Sequence, residues 1–214
     1  MSVYVRFWND YSEEEKRALF RRSETDISEV LDTVRDIVET VKRDGDSALR
    51  DYSLKFDKVD LGNRGIRVES SEFDSAERSL DEDVKRSLEF AIRTVWDFHS
   101  AQKPERLAFT PLFDGLISGE KSSPIDSAGL YVPRGRGSFP SMLYMLAVPA
   151  RIAEVPEIEI VTPPDSDGSV DSACLFAARL LGIERVFRIG GAQAVAALAF
   201  GTETVSPVQK IIGP

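Results

Sequence analysis

Ser127-Ala128-Gly129-Leu130-Tyr131-Val132 is a short β-prone run. A helical stretch near Pro140–Ala153 follows it, then Ile158-Glu159-Ile160-Val161-Thr162, a helix from about Val170 to Leu181 closed by Gly182, and Arg185-Val186-Phe187-Arg188-Ile189. Short strands that alternate with helices specify a parallel sheet with right-handed crossovers. Further along, the pattern predicts a helix over Ala192–Phe200 and a last strand at Lys210–Ile212, whose outer edge is expected to be exposed. On the amino-terminal side it begins with a strand-like run at Gly115–Ser122.

From residue 10 to about 104 the periodicity is helical instead. Ser12-Glu13-Glu14-Glu15 reads as a capping box. Ile27, Val30, Leu31, Val34, Ile37, Val38 and Val41 fall on one helical face up to Gly45, which predicts one buried stripe. A second helical segment spans about Asp46 to Leu54, a short strand fits Ile66–Val68, and Asp81 starts a long helix bounded by Pro104. The expected fold class is α/β, with a helix-rich amino-terminal region, 1–126, followed by a Rossmann-like parallel-sheet domain, 127–214, with helices on both faces.

Composition narrows the function. The net charge of −9 over 214 residues gives no positive field for phosphate backbones or anionic lipid, so nucleic acid and membrane are not the expected partners. No apolar run reaches the length of a membrane span, and no charged-then-apolar leader opens the sequence, so a cytoplasmic location is expected. With one His and one Cys, a conventional His/Cys zinc site is out of reach of these residues alone. A nucleophilic triad would have to use His99, inside a predicted helix, where a packed histidine is the simpler reading. Cys174, beside Leu175 and Phe176, reads as a small core residue.

In an open α/β sheet, ligands bind beyond the carboxyl ends of the strands. The segments there are Tyr131-Val132-Pro133-Arg134-Gly135-Arg136-Gly137, Thr162-Pro163-Pro164, Gly190-Gly191-Ala192-Gln193 and Gly213-Pro214. Their glycines permit close backbone approach, and the helix starts that follow favour an anionic group such as a pyrophosphate. This is not a dinucleotide fingerprint, because Pro140 stands where a third glycine belongs and no acid ends the next strand, Val161-Thr162-Pro163. Gln193 reads equally as a ligand contact or as a residue satisfying a loop amide. Tyr131 reads equally as a ligand contact or as a half-buried strand aromatic. Arg134 and Arg136 read as solvated loop arginines, and Glu157/Glu159 as a solvated face.

The run Gly45-Asp46-Ser47-Ala48-Leu49-Arg50-Asp51-Tyr52-Ser53-Leu54-Lys55-Phe56-Asp57 resembles the amino-terminal signature of histidinol dehydrogenases, as does Phe98-His99-Ser100-Ala101-Gln102-Lys103-Pro104. So do Gly129-Leu130-Tyr131-Val132-Pro133, Ala147-Val148-Pro149-Ala150, and the stretch from Gly190-Gly191-Ala192-Gln193 to Gly201-Thr202-Glu203. The resemblance implies a homodimeric, zinc-containing, NAD-dependent enzyme that oxidises L-histidinol to L-histidine through the aldehyde, completing histidine biosynthesis. It implies that Tyr131 and Gln193 contact the NAD. The family continues past the Gly-Pro that matches Gly213-Pro214, into a half holding the zinc ligands, the Glu-His pair that activates water, and the residues gripping histidinol. The expectation is therefore that this chain holds neither catalytic residues nor zinc ligands and does not oxidise histidinol alone. The alternatives are a non-catalytic nucleotide-binding module and a relative acting on another alcohol, such as sulfopropanediol. Arg134 departs from the family, which commonly has glycine there.

Overall fold

The computed structural model describes residues 5–21, 28–62, 64–134, 137 and 139–214, in two compact units, Met1–Asp36 and Ile37–Pro214. In the first, a 3-10 turn at Trp8–Asp10 precedes α1 (Glu13–Arg21). The capping box forms: the Glu15 N–H donates to Ser12 Oγ at 3.2 Å, and the Ser12 N–H donates to the Glu15 carboxylate at 2.7 Å. Two amides that the helix start leaves open are thus satisfied. Arg6 and the Ser12 N–H together hold the Glu15 carboxyl at about 2.

The next helix, α2 (Ser28–Asp44), passes into the second unit. Its expected stripe is buried only from Ile37 onward. Val41 is fully buried, but Val30, Leu31 and Val34 are exposed, because they belong to a unit with no buried residue among those described. Ile27 lies outside the described residues.

The second unit continues with α3 (Asp46–Tyr52), a π-helical turn at Ser53–Asp57, α4 (Ser70–Ser79) and α5 (Glu82–Ser100). An antiparallel ribbon follows, β1 (Leu107–Phe113) with β2 (Leu116–Lys121). Then come β3 (Ser127–Tyr131), α6 (Pro140–Ile152), β4 (Glu157–Val161), α7 (Ser172–Leu180), β5 (Val186–Phe187), α8 (Gly191–Phe200) and β6 (Lys210–Ile212). The four-stranded sheet has the order β5-β4-β3-β6, every pair parallel, as the alternating pattern predicts. Ile66–Val68 lies antiparallel along the outer edge of β5, where the Val68 N–H donates to Val186 O and the Arg188 N–H to Ile66 O, each at 2.9 Å.

Two apolar cores form, one on each face, because successive strand residues point to opposite sides. Leu130 and Ile160 pack with α4, α6 and α7 through Phe73, Leu143, Ala147 and Leu175. Val161 and Phe187 pack on the other face with Val41, Leu49, Ala197 and Leu198, from α2, α3 and α8.

Covering both faces corrects the reading of Glu159. It is not solvated but 1% exposed, in the middle of β4, with Oε1 accepting from Arg185 Nη2. Arg185 also donates to Ser206 Oγ at 2.7 Å. Burial pushes the Glu159 carboxyl above the usual carboxylate range, and the Arg185 guanidinium only partly offsets this. A raised folded pKa means that the ionised form opposes folding at neutral pH, and that this penalty fades as pH falls through the folded pKa. Glu159→Gln should therefore raise stability near pH 7, with the gain vanishing in acid. Urea denaturation at both pH values measures it; a loss of stability at pH 7 would mean that the Arg185 pairing outweighs burial.

Candidate functional site

The chain steps from β3 to β4 to β5 in one direction, then returns past β3 to place β6 on its other side. The order reverses between β3 and β6, which opens a crevice at their carboxyl ends. Tyr131 is the last residue of β3, and its phenol oxygen accepts the Gly191 N–H at 3.1 Å, at the first turn of α8. Gln193, two residues on, is 2% exposed. A Cβ placed on Gly191 would lie 2.8 Å from its Oε1, so the Gln193 amide is folded against the same turn. The two residues singled out from the sequence, far apart along the chain, meet at one helix start.

The other strand ends close around them. After β6, Gly213 lies so near Tyr131 that a Cβ there would be 2.8 Å from its carbonyl oxygen. After β4, Pro163 packs on Gly190, where a Cβ would fall 2.3 Å from Pro163 Cγ. Glycine at 190 lets the turn before α8 come up against the loop after β4.

That loop is gripped from both sides. Arg134, from the turn after β3, donates through Nη1 to Pro164 O at 3.0 Å and through Nη2 to Asp165 Oδ1. Arg134 stays exposed, as its sequence position implies, yet it is also clasped, because the parallel pairing of β3 with β4 brings their following turns together. Gly135 and Arg136 lie outside the described residues. From the other side Arg188, fully buried just beyond β5, donates to Gly168 O at 2.9 Å and Arg67 O at 3.1 Å. Its guanidinium also forks onto both oxygens of Glu72 in α4. Burial raises the Glu72 pKa, but the Arg188 hydrogen bond and the Glu69 N–H outweigh it, and the carboxyl ends below its ordinary value.

The remaining candidates stand elsewhere. His99, half-buried in the last turn of α5, has Nδ1 at 2.8 Å from the Gln102 amide oxygen, and Cys174 is buried in the core. An apolar groove of about 540 Å³, lined by Ile125, Met145, Pro149, Ala150 and Ile212 among others, includes none of these converging polar groups. Recognition needs oriented polar groups as well as apolar walls, which makes the strand ends the candidate site. Among the described residues, no three His, Cys, Asp or Glu side chains converge to hold a metal ion, and no helix is long and apolar enough to cross a membrane. The described residues thus offer no ligand set that fits zinc.

Strand order, helices on both faces and a polar cluster at the switch point define a Rossmann-like α/β protein. The sequence model described as Histidinol dehydrogenase matches residues 20–214, and the chain belongs to that family. It is 49% identical over 213 residues to a "Histidinol dehydrogenase homolog" of Rhizobium meliloti (strain 1021), covering 100% of this chain and 47% of the relative. It is 43% identical over 196 residues to a "Histidinol dehydrogenase" of Synechocystis sp., covering 92% and 45%. The crystal structure of histidinol dehydrogenase from Elizabethkingia anophelis superposes with a TM-score of 0.87 at 32% identity, covering 95% of this chain and 46% of that one. The chain thus spans about half the length of the relatives it matches.

Proposed function

We propose that this chain is the NAD-binding half of an alcohol and aldehyde dehydrogenase that converts histidinol to histidine. The convergence of the Tyr131 phenol and the Gln193 amide on the first turn of α8 carries the reading. NAD, when bound, supplies the hydride acceptor. On this reading Gln193 hydrogen-bonds the dinucleotide, Tyr131 fixes its orientation, and the glycines at 190 and 213 let the backbone come close. Residues 127–214 are the nucleotide-binding part and 1–126 the helical region preceding it. The base that takes the alcohol proton, the zinc ligands and a homodimer partner belong to the intact cytoplasmic enzyme, so the 214-residue chain alone should not turn over histidinol.

Calorimetric titration with NAD tests this. Saturable heat is expected, with Gln193→Ala weakening affinity about tenfold, the effect of losing one buried hydrogen bond. No heat, together with no protection from proteolysis at millimolar NAD, sinks the reading. A second reading keeps the chemistry and changes the alcohol. It is favoured by Arg134 and by relatives at 43–49% identity whose names carry the word homolog. Assaying the full-length protein with histidinol and sulfopropanediol separates the two.

A further inference from the structure

One guanidinium holds both walls of the contact that shapes the start of α8. Pro163, after β4, packs on Gly190, and from this turn the Gly191 N–H meets the Tyr131 phenol and the Gln193 amide folds back. Arg188 stands just before Gly190 in the chain, and its Nη1 donates at 2.9 Å to Gly168 O, at the far end of the loop that Pro163 begins. That loop is closed on itself, the Asp165 N–H donating to Ser169 O at 2.7 Å and the Gly168 N–H to Asp165 O at 2.8 Å. Fixing Gly168 therefore fixes Pro163. The guanidinium is itself anchored on the Glu72 carboxylate and on Arg67 O. For stability alone a buried ion pair is a poor device, because apolar side chains of like volume often serve as well. Arg188 even leaves its buried Nε with no partner among the described residues. An apolar side chain, however, could not hold a carbonyl of the neighbouring loop at a set distance.

Resting on the NAD-binding reading above, we propose that Arg188 is a positioning residue for the cofactor. Fully buried, it touches no ligand. By tying the loop after β4 to the strand that leads into α8, it holds the Gly190-Gly191 turn in the form from which Gln193 binds. Glu72 is its anchor. A turn that takes this form only part of the time binds in proportion to that fraction.

The test measures NAD affinity by calorimetry on the 214-residue chain for the wild type, Arg188→Lys, Gln193→Ala and the two changes combined. A lysine still meets Glu72, but as a point charge without the fork it cannot serve the carboxylate and the Gly168 carbonyl together. Arg188→Lys should weaken NAD binding about tenfold, as for a turn correctly formed about a tenth of the time. Because Arg188 acts through the turn that carries Gln193, the same change on the Gln193→Ala background should cost less than about threefold. A merely structural role would give losses that multiply. Ile183→Ala, in the core before the amino end of β5, is the control. It should lower the melting temperature yet leave NAD affinity and the Gly191 amide resonance unmoved, whereas Arg188→Lys should shift that resonance. Glu72→Gln keeps the cap of α4 and replaces the fork by a single acceptor. It should weaken NAD binding about threefold, and it carries the same comparison if Arg188→Lys does not fold. Suppose the wild type binds NAD, but the Arg188 and Glu72 variants bind as it does, or their losses multiply with that of Gln193→Ala, or Ile183→Ala weakens binding equally. The positioning role is then overturned and the NAD reading stands. If the wild type does not bind NAD, both fall.

Discussion

Replacing Arg188 with alanine should lower the unfolding free energy by about 3–5 kcal/mol, the usual consequence of removing one partner of a buried ion pair. The guanidinium is fully buried, forks onto the Glu72 carboxylate and serves the carbonyls of Gly168 and Arg67. Without it, the Gly168 and Arg67 carbonyls lose a donor, the Glu72 carboxylate keeps the Glu69 N–H but loses both guanidinium bonds, and a cavity opens beside β5. Arg64, 3.6 Å from Glu72 on the exposed side, offers only partial replacement. For a chain of this size, the melting temperature should fall by about 10 °C.

The pH dependence has a definite sign. Glu72's folded pKa is depressed, so its contribution is complete above the unfolded carboxylate value and is lost as pH falls through the folded one. The gap between wild type and variant should therefore be widest near neutrality and narrow in acid. Denaturation across that range reads it out, and a deficit under about 1 kcal/mol at pH 7 would mean that water replaces the guanidinium.

Gly45→Ala should destabilise by about 2–3 kcal/mol, because strained backbone conformations cost about 1–3 kcal/mol in a residue with a side chain, and a capping contact is disturbed as well. Gly45 has φ +55° and ψ −131°, a region favourable to glycine alone. A Cβ there would lie 2.3 Å from the Glu203 carboxylate, which caps α3 by accepting the Asp46 N–H at 2.7 Å. The Asp46 carboxylate in turn accepts from the Thr204 N–H at 3.2 Å and from the Thr204 hydroxyl. Adding Glu203→Ala to Gly45→Ala should cost less than the sum of the two changes, since the clash and the cap involve the same atoms. Strict additivity would show that the backbone angle alone sets the penalty.

The parallel sheet was legible because alternating strand and helix patterns are local and strong, and β3 through β6 lie close to where the sequence puts them. Strand-end position follows from that alternation but leaves Tyr131 and Gln193 evenly balanced between ligand contact and structural role; only the family resemblance singles them out. Two elements were passed over although they carry signals. Glu69 and Glu72 form the capping box of α4, and Asp114-Gly115 marks the turn between β1 and β2. The buried charges were harder. Ile-Glu-Ile in β4 looks like one wet face, but a parallel sheet covered on both sides has none. Arg188 depends on Glu72, 116 residues away, and no local pattern announces such a partner. The clasp of Arg134 is hidden from the sequence for the same reason, because it depends on which strand lies beside β3.

The clasp between Gly45-Asp46 and Glu203-Thr204 joins two stretches of sequence 157 residues apart. Each supplies what the other lacks: one a side-chain-free bend and an acid, the other an acid and a hydroxyl. Natural variation should respect this. A lineage that trades away Glu203 relieves the crowding at 45 while the backbone angle still asks for glycine, and one that changes Asp46 is released from Thr204, so across descendants Asp46 and Thr204 should drift together as a single inherited trait.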